Sequence, residues 1–254
     1  MRSWRKLPDK LLVEWGEHDV LTLTLNRPER RNALDPDLLA SLAGALRAHG
    51  KRAGAVILRG AGDAAFSAGY DLDHLTGTEE DLQADAIIGT TIDSQRECRA
   101  PVIALVRGHC HGAALELAMN CDLRFATPDL RLSVPAVGLG VVYRYQFVTR
   151  LVAICGLNRA SDLLLGMREL DAPTALAWGL LTDVVDAAEI DVRVRAIAER
   201  VATAPRAAVQ GTKASLNMGV ARMASEDLLE ANQLRRLAAI SPQRFEALRQ
   251  RKKK

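Results

Sequence analysis

The sequence predicts an α/β protein, on three observations. Short apolar runs of strand character recur at Val20–Leu25, Ala55–Leu58 and Val102–Val106. Stretches with helical spacing lie between them, and the last third is almost wholly helical in pattern. The composition, 48% hydrophobic and 26% charged, is that of a globular chain, and with aromatics at only 4% its core must be aliphatic.

Val20-Leu21-Thr22-Leu23-Thr24-Leu25 alternates leucine or valine with threonine, a strand signal that Asn26-Arg27-Pro28-Glu29 ends. Asp35-Pro36-Asp37 opens a helix, with Asp35 as cap and proline in the first turn; it runs from Leu38 to Ala48 and stops near Gly50. Ala55–Leu58 reads as a strand buried on both faces and breaks at Gly60-Ala61-Gly62-Asp63. Glu79 to Arg99 reads as helix from the spacing of Leu82, Ala86 and Ile87. Val102–Val106 is a second buried strand, leading into a glycine-bounded turn from Gly108 to Gly112. A helix over Ala113–Asn120 and a strand at Leu123–Ala126 come next, and from Val148 onward the pattern is largely helical. These signals give one core over residues 1–190 with a helical region over 191–254.

Several classes are excluded. No apolar run approaches the roughly 20 residues needed to cross a bilayer, and Met1–Lys6 leads into Leu11-Leu12-Val13-Glu14 without the apolar stretch of a signal peptide. Cys98, Cys110, Cys121 and Cys155 show neither CxxC pairing nor zinc spacing, which fits a reducing, cytoplasmic setting. The positives at Arg2, Arg5, Lys6, Arg249, Arg251 and Lys252 to Lys254 number eight; removing them from a net charge of +3 leaves the body at −5. No basic stripe interleaves with aromatics, so neither a nucleic-acid groove nor a membrane surface is expected. Gly60-Ala61-Gly62 and Gly138-Leu139-Gly140 lack the Gly-Lys-Ser/Thr ending of a phosphate loop.

Two segments carry the chemistry: Phe66-Ser67-Ala68-Gly69-Tyr70-Asp71-Leu72, and the run from Gly108-His109-Cys110-His111-Gly112-Ala113 to Glu116 and Asp122. Each follows a buried strand and sets small residues where the chain must turn. Gly112 and Ala113 begin a helix, so unpaired backbone N–H groups and the positive dipole end converge there, with Glu116 one turn further in. His109 and His111 flank Cys110, but three adjacent residues on a turn point in different directions and no carboxylate set completes a ligand sphere, so no metal is expected.

These segments resemble those of the enoyl-CoA hydratase/isomerase, or crotonase, superfamily. Asn26-Arg27-Pro28 with Asn32-Ala33-Leu34, Asn120-Cys121-Asp122, and Ala177-Trp178-Gly179-Leu180-Leu181 with Val184-Val185 continue the match in the family's order, over about residues 12 to 186. The resemblance implies a crotonase-like ββα spiral core with a helical C-terminal trimerisation region, assembled as a trimer or a dimer of trimers. It implies an acyl-CoA substrate whose coenzyme A is part of the substrate rather than a bound cofactor, and a thioester oxygen held by two backbone amides, those of Tyr70 and Ala113. It places Ala68, Gly112, His111 and Ala136 around the acyl group and Arg31 near the coenzyme A phosphates. His111 is a candidate proton donor beside the turn; a polar residue without a role is the alternative.

Hydratases of the family use two glutamates. Glu116 matches the first, whereas Ala136, after Pro135, stands where the second would be, leaving a site with one carboxylate. Leu139-Gly140-Val141-Val142-Tyr143 resembles instead the loop of the family's methylmalonyl-CoA decarboxylase, in which a tyrosine supplies an O–H donor; a surface or subunit-contact role for Tyr143, Arg144 and Tyr145 is the competing reading. The expected function is therefore an acyl-CoA lyase of the hydratase type working through Glu116, with a Tyr143-assisted decarboxylase or a catalytically silent acyl-CoA-binding protein as alternatives.

Overall fold

A computed structural model describes residues 9–78, 80–222 and 228–252. Glu79 and the terminal residues Arg2, Arg5, Lys6, Lys253 and Lys254 lie outside the described residues. The strands are β1 (Leu11–Trp15), β2 (Val20–Leu25), β3 (Ala55–Gly60), β4 (Ala65–Ser67), β5 (Val102–Val106), β6 (His109–His111), β7 (Leu123–Ala126), β8 (Arg131–Ser133), β9 (Leu170–Asp171) and β10 (Asp183–Val184). The helices are α1 (Pro36–His49), α2 (Asp81–Glu97), α3 (Ala113–Met119), α4 (Tyr145–Cys155), α5 (Leu157–Leu164), α6 (Ala172–Ala177), α7 (Ile190–Ala202), α8 (Arg206–Arg222), α9 (Leu228–Ala239) and α10 (Pro242–Lys252).

The strands form two sheets, a six-stranded one in the order β1-β2-β3-β5-β7-β10 and a four-stranded one in the order β4-β6-β8-β9. Their memberships alternate along the chain. β3, β5 and β7 each give a strand to the larger sheet, the next few residues give β4, β6 and β8 to the smaller, and a helix leads back. That is a ββα spiral, parallel throughout except for β1 against β2 and β8 against β9.

The alternation seen in the sequence decides what each face of the larger sheet covers. Leu21, Leu23, Leu25, Val56, Leu58, Val102 and Ala104 point into the main core, where α1 presents Leu38, Leu39, Leu42 and Leu46. Val20, Ala55, Ile57, Ile103 and Leu105 point the other way and are covered by Ile190, Val194 and Ile197 of α7. Each of these large α7 side chains gains about 1.5–3 kcal/mol from burial, before entropy is counted.

α1 begins as its sequence dictates: the Asp35 carboxylate accepts from the Leu38 amide at 2.8 Å and Pro36 needs no donor partner. One expectation is corrected. The stretch from Gly108 to Gly112 is no turn, because His109–His111 pairs with β4 and β8 as a strand. The region after Val148 is largely helical, as expected, and the two-residue strands β9 and β10 within it complete the two sheets.

The Asn26–Leu34 segment is a staple. Asn32, buried, donates to the carbonyls of Ala61 and Ala65 and accepts from the Arg27 amide. Arg27 in turn bonds the Ala33 carbonyl at 2.6 Å and the Asp71 carboxylate at 2.9 Å. Asp35 pairs with Lys10 at 2.8 Å and Arg27 at 3.3 Å while it caps α1. Asp35→Ala should therefore cost about 1–2 kcal/mol for the cap alone. A urea midpoint unchanged from the parent would show that neither the cap nor the ion pairs matter.

Candidate active site

The stapled loop carries the first turn of the site. The Ala68 amide donates to the Arg31 carbonyl at 2.9 Å, the Leu34 amide to the Gly69 carbonyl at 2.8 Å and the Asp71 amide to the Leu34 carbonyl at 3.0 Å. That ladder consumes the neighbours of Tyr70; among the described residues the Tyr70 amide has no acceptor. The Arg31 side chain is exposed, with its backbone in the left-handed region at φ 49°.

The second turn lies directly against the first, because β4 and β6 are parallel neighbours. Gly69 has φ +92°, and a Cβ there would stand 2.5 Å from the His111 carbonyl oxygen and 3.4 Å from the Ala113 nitrogen. Only glycine permits this approach. Gly112 precedes α3 at φ 59° and ψ −122°, a conformation reserved for glycine, and its own amide bonds the Ser133 carbonyl at 2.9 Å. The Ala113 amide, first in the helix, has no acceptor among the described residues.

Every residue of α3 is buried, Glu116 included, whose side chain is only 3% exposed. Isolated, such a carboxylate would carry a desolvation cost of several kcal/mol. Arg144 offsets it: Nε donates to Glu116 Oε1 at 3.0 Å and Nη2 donates to the same oxygen. Oε2 accepts no hydrogen bond among the described residues. Burial raises the Glu116 carboxyl above its ordinary range, with the Arg144 charge opposing.

Tyr143 stands over Gly112. Its hydroxyl lies 3.3 Å from where a Gly112 Cβ would be, and its ring tilts against Phe147 with centroids 4.9 Å apart. Burial, reinforced by the Glu116 charge, holds the phenol well above its usual pKa, so it remains a proton-bearing donor. The turn from Ala136 aims this segment: the amides of Leu139 and Val141 both bond the Ala136 carbonyl at 2.9 Å, and Ala136 itself is buried.

The structure thus gathers Tyr70, Ala113, Gly112, Glu116 and Tyr143, and leaves others apart. His109 and His111 do not diverge as expected; they share one face of β6, with His109 Nδ1 and His111 Nε2 3.0 Å apart and His111 Nδ1 2.9 Å from Ser133 Oγ. Cys110, between them, points into the core, and burial lifts its thiol far above the ordinary range. Burial and His109 lower the His111 pKa, leaving a neutral ring. All four cysteines are buried and unpaired. Among the described residues no group of three or more histidine, cysteine or acidic side chains forms a metal site, and no helix is long and apolar enough to cross a membrane.

Two residues escaped the sequence reading. Arg144 is not a surface residue but the partner of the buried Glu116. Asp85, on α2, is the other: its carboxylate is paired with Arg235, and its charge acts on both Glu116 and Tyr143. The signal for Arg144 was the buried glutamate itself, which demands a cation, although no spacing rule locates one 28 residues away.

A spiral of alternating ββα turns with glycine-backed amides at one end is the crotonase fold. A model of the enoyl-CoA hydratase/isomerase family matches residues 16–246, and the chain belongs to that family. It is 32% identical over 209 residues to a short-chain-enoyl-CoA hydratase of Clostridium acetobutylicum, covering 80% of each. An enoyl-CoA hydratase/carnithine racemase structure from Magnetospirillum magneticum aligns with TM-score 0.78 and 34% identity over 83% of this chain and 80% of that one. A methylmalonyl-CoA decarboxylase structure aligns with TM-score 0.89 over 96% of this chain and 95% of that one; at 24% identity it shows the shared fold alone.

Removing the cation should expose the cost of the buried acid. Arg144→Met is expected to lose about 3–5 kcal/mol at neutral pH. Because the Glu116 pKa is raised in the fold, the penalty falls on its ionised form, so the loss should shrink as pH drops and Glu116 protonates. Adding Glu116→Gln should recover much of it. Urea denaturation of the three variants at neutral and mildly acidic pH checks this; a loss independent of pH would refute the pairing as its cause.

Proposed function

We propose that the chain is an acyl-CoA lyase of the enoyl-CoA hydratase type, acting through a thioester enolate with Glu116 as the proton carrier. The observation that carries the reading is the division of labour on the Glu116 carboxylate, one turn into the helix that Ala113 begins: Oε1 is tied to Arg144, whereas Oε2 accepts no hydrogen bond among the described residues. The Tyr70 and Ala113 amides would hold the thioester oxygen as it gains charge, each such donor being worth about 3–4 kcal/mol in the transition state. In hydration, Oε2 takes a proton from water as its oxygen adds to Cβ of the enoyl group, and the same proton passes to Cα as the enolate collapses. One carboxylate then serves both steps, which accommodates the alanine at position 136.

The Tyr143 hydroxyl, above Gly112 and with no hydrogen-bond partner among the described residues, favours a second reading, decarboxylation. There the O–H donor would orient an acyl carboxylate, carbon dioxide would leave with its bond electrons remaining on the thioester as enolate, and Cα would then be protonated.

Incubation with crotonyl-CoA and methylmalonyl-CoA, followed by mass spectrometry, separates the two: gain of one water supports the first, loss of carbon dioxide the second. Binding without a mass change on either would favour a silent acyl-CoA-binding protein. Glu116→Gln should lower turnover by about 10²–10⁴-fold with acyl-CoA binding retained; full activity would remove Glu116 from the chemistry. Tyr143→Phe should impair decarboxylation far more than hydration, and equal effects would reduce Tyr143 to a packing residue. Since Oε2 must be ionised to accept a proton, kcat/KM should fall as pH drops through a Glu116 pKa above the ordinary glutamate range.

A further inference from the structure

The Glu116–Arg144 pair continues outward. Arg144 Nη1 lies where a side chain at Gly89 would begin, 2.7 Å from a Cβ built there. Gly89 is one helical turn beyond Asp85 on α2, so the Arg144 guanidinium lies along the α2 face that carries Asp85. Asp85 Oδ2 is held at 2.5 Å by Nη2 of Arg235, which comes from α9 near the end of the chain. Arg235 Nε in turn donates to the Val142 carbonyl at 3.3 Å, on the strand of backbone that bears Tyr143 and Arg144. Two ion pairs, Glu116–Arg144 and Asp85–Arg235, thus meet along α2, and the Val142 carbonyl ties Arg235 to the segment that bears Arg144.

We propose that Asp85 and Arg235 are positioning residues for Glu116, with Asp85 setting a negative charge on the α2 face beside Arg144 and Arg235 holding both Asp85 and the Val142–Arg144 segment against the site. Their effect is electrostatic as well as steric. Glu116 feels Arg144, Asp85, Arg235 and the Tyr143 phenol from the elements packed on it; Asp85 feels Arg235, Arg144 and, from α10, Arg244. Burial raises the Asp85 carboxyl too, and the three arginines oppose that rise. Arg244 is mainly engaged elsewhere, bonded to Asp81 at 2.6 Å with both side chains buried. Gly89 fits the same design, because any side chain there would require the Arg144 guanidinium to shift. The proposal rests on the reading of Glu116 as proton carrier for its functional meaning, although not for its test.

The test is a pH titration of the full-length protein labelled with 13C at the glutamate carboxyls. The Glu116 resonance is the one that vanishes in Glu116→Gln. Asp85→Asn removes a like charge and leaves Arg235 unopposed, so the Glu116 midpoint should move down by about one unit. Arg235→Gln removes an opposite charge and the ion-pair partner of Asp85, so the midpoint should move up by a similar amount, and Arg235→Lys should restore it. Loosened packing would displace both variants the same way. Opposite displacements with lysine rescue support the proposal; displacements of one sign, or none, overturn it. No substrate enters the measurement, so the proposal stands or falls apart from the turnover of Glu116→Gln.

Discussion

A carboxylate on a helix with no exposed residue cannot stand alone, and the arginine that meets Glu116 governs how the rest of the site is arranged. Arg144 heads α4 and follows the turn that Ala136 closes, so satisfying one buried acid brings the whole Val137–Arg144 segment over the start of α3. Tyr143 is set above Gly112 as a consequence. By using one oxygen of the carboxylate and leaving the other without a hydrogen bond among the described residues, the pair offsets the desolvation cost and supports the proposed role of Glu116 as proton carrier.

The spiral supplies the second half of the arrangement. Successive ββα turns lay β4 beside β6, so the ends of two strands more than 40 residues apart in sequence become neighbours, each followed by a glycine that lets backbone approach backbone. The staple at Asn32 and Arg27 serves the same end from outside, pinning residues 31–34 to the Ala68–Asp71 turn. The motif residues of the Asn26–Leu34 region thus act mainly as scaffolding, and their polar groups are spent on main-chain carbonyls and buried ion pairs.

Much of this was legible from sequence. β2, β5 and β7 announce themselves by alternation or by unbroken apolar runs, and α1 by its aspartate cap and first-turn proline. Gly112, Ala113 and Glu116 are readable because a small-residue turn before a short apolar helix has few other uses. The smaller sheet was not legible: β4, β6 and β8 are three residues each, too short for periodicity, and β6 hides two histidines between glycines. Arg144, Asp85 and Arg235 escaped for a different reason. Each is defined by a partner 28 to 150 residues away, and a charge in a polar-looking segment carries no local mark of the acid it will meet.

The central claim, that a thioester enolate forms beside Glu116, is tested most directly by proton exchange. Butyryl-CoA, which offers neither a double bond nor a carboxylate, is incubated with the enzyme in D2O and its mass is followed. Deuterium entering at Cα with the parent protein, and not with Glu116→Gln, is the expected result. Butyryl-CoA that binds yet gains no deuterium would contradict it and leave the open carboxylate oxygen without a chemical role.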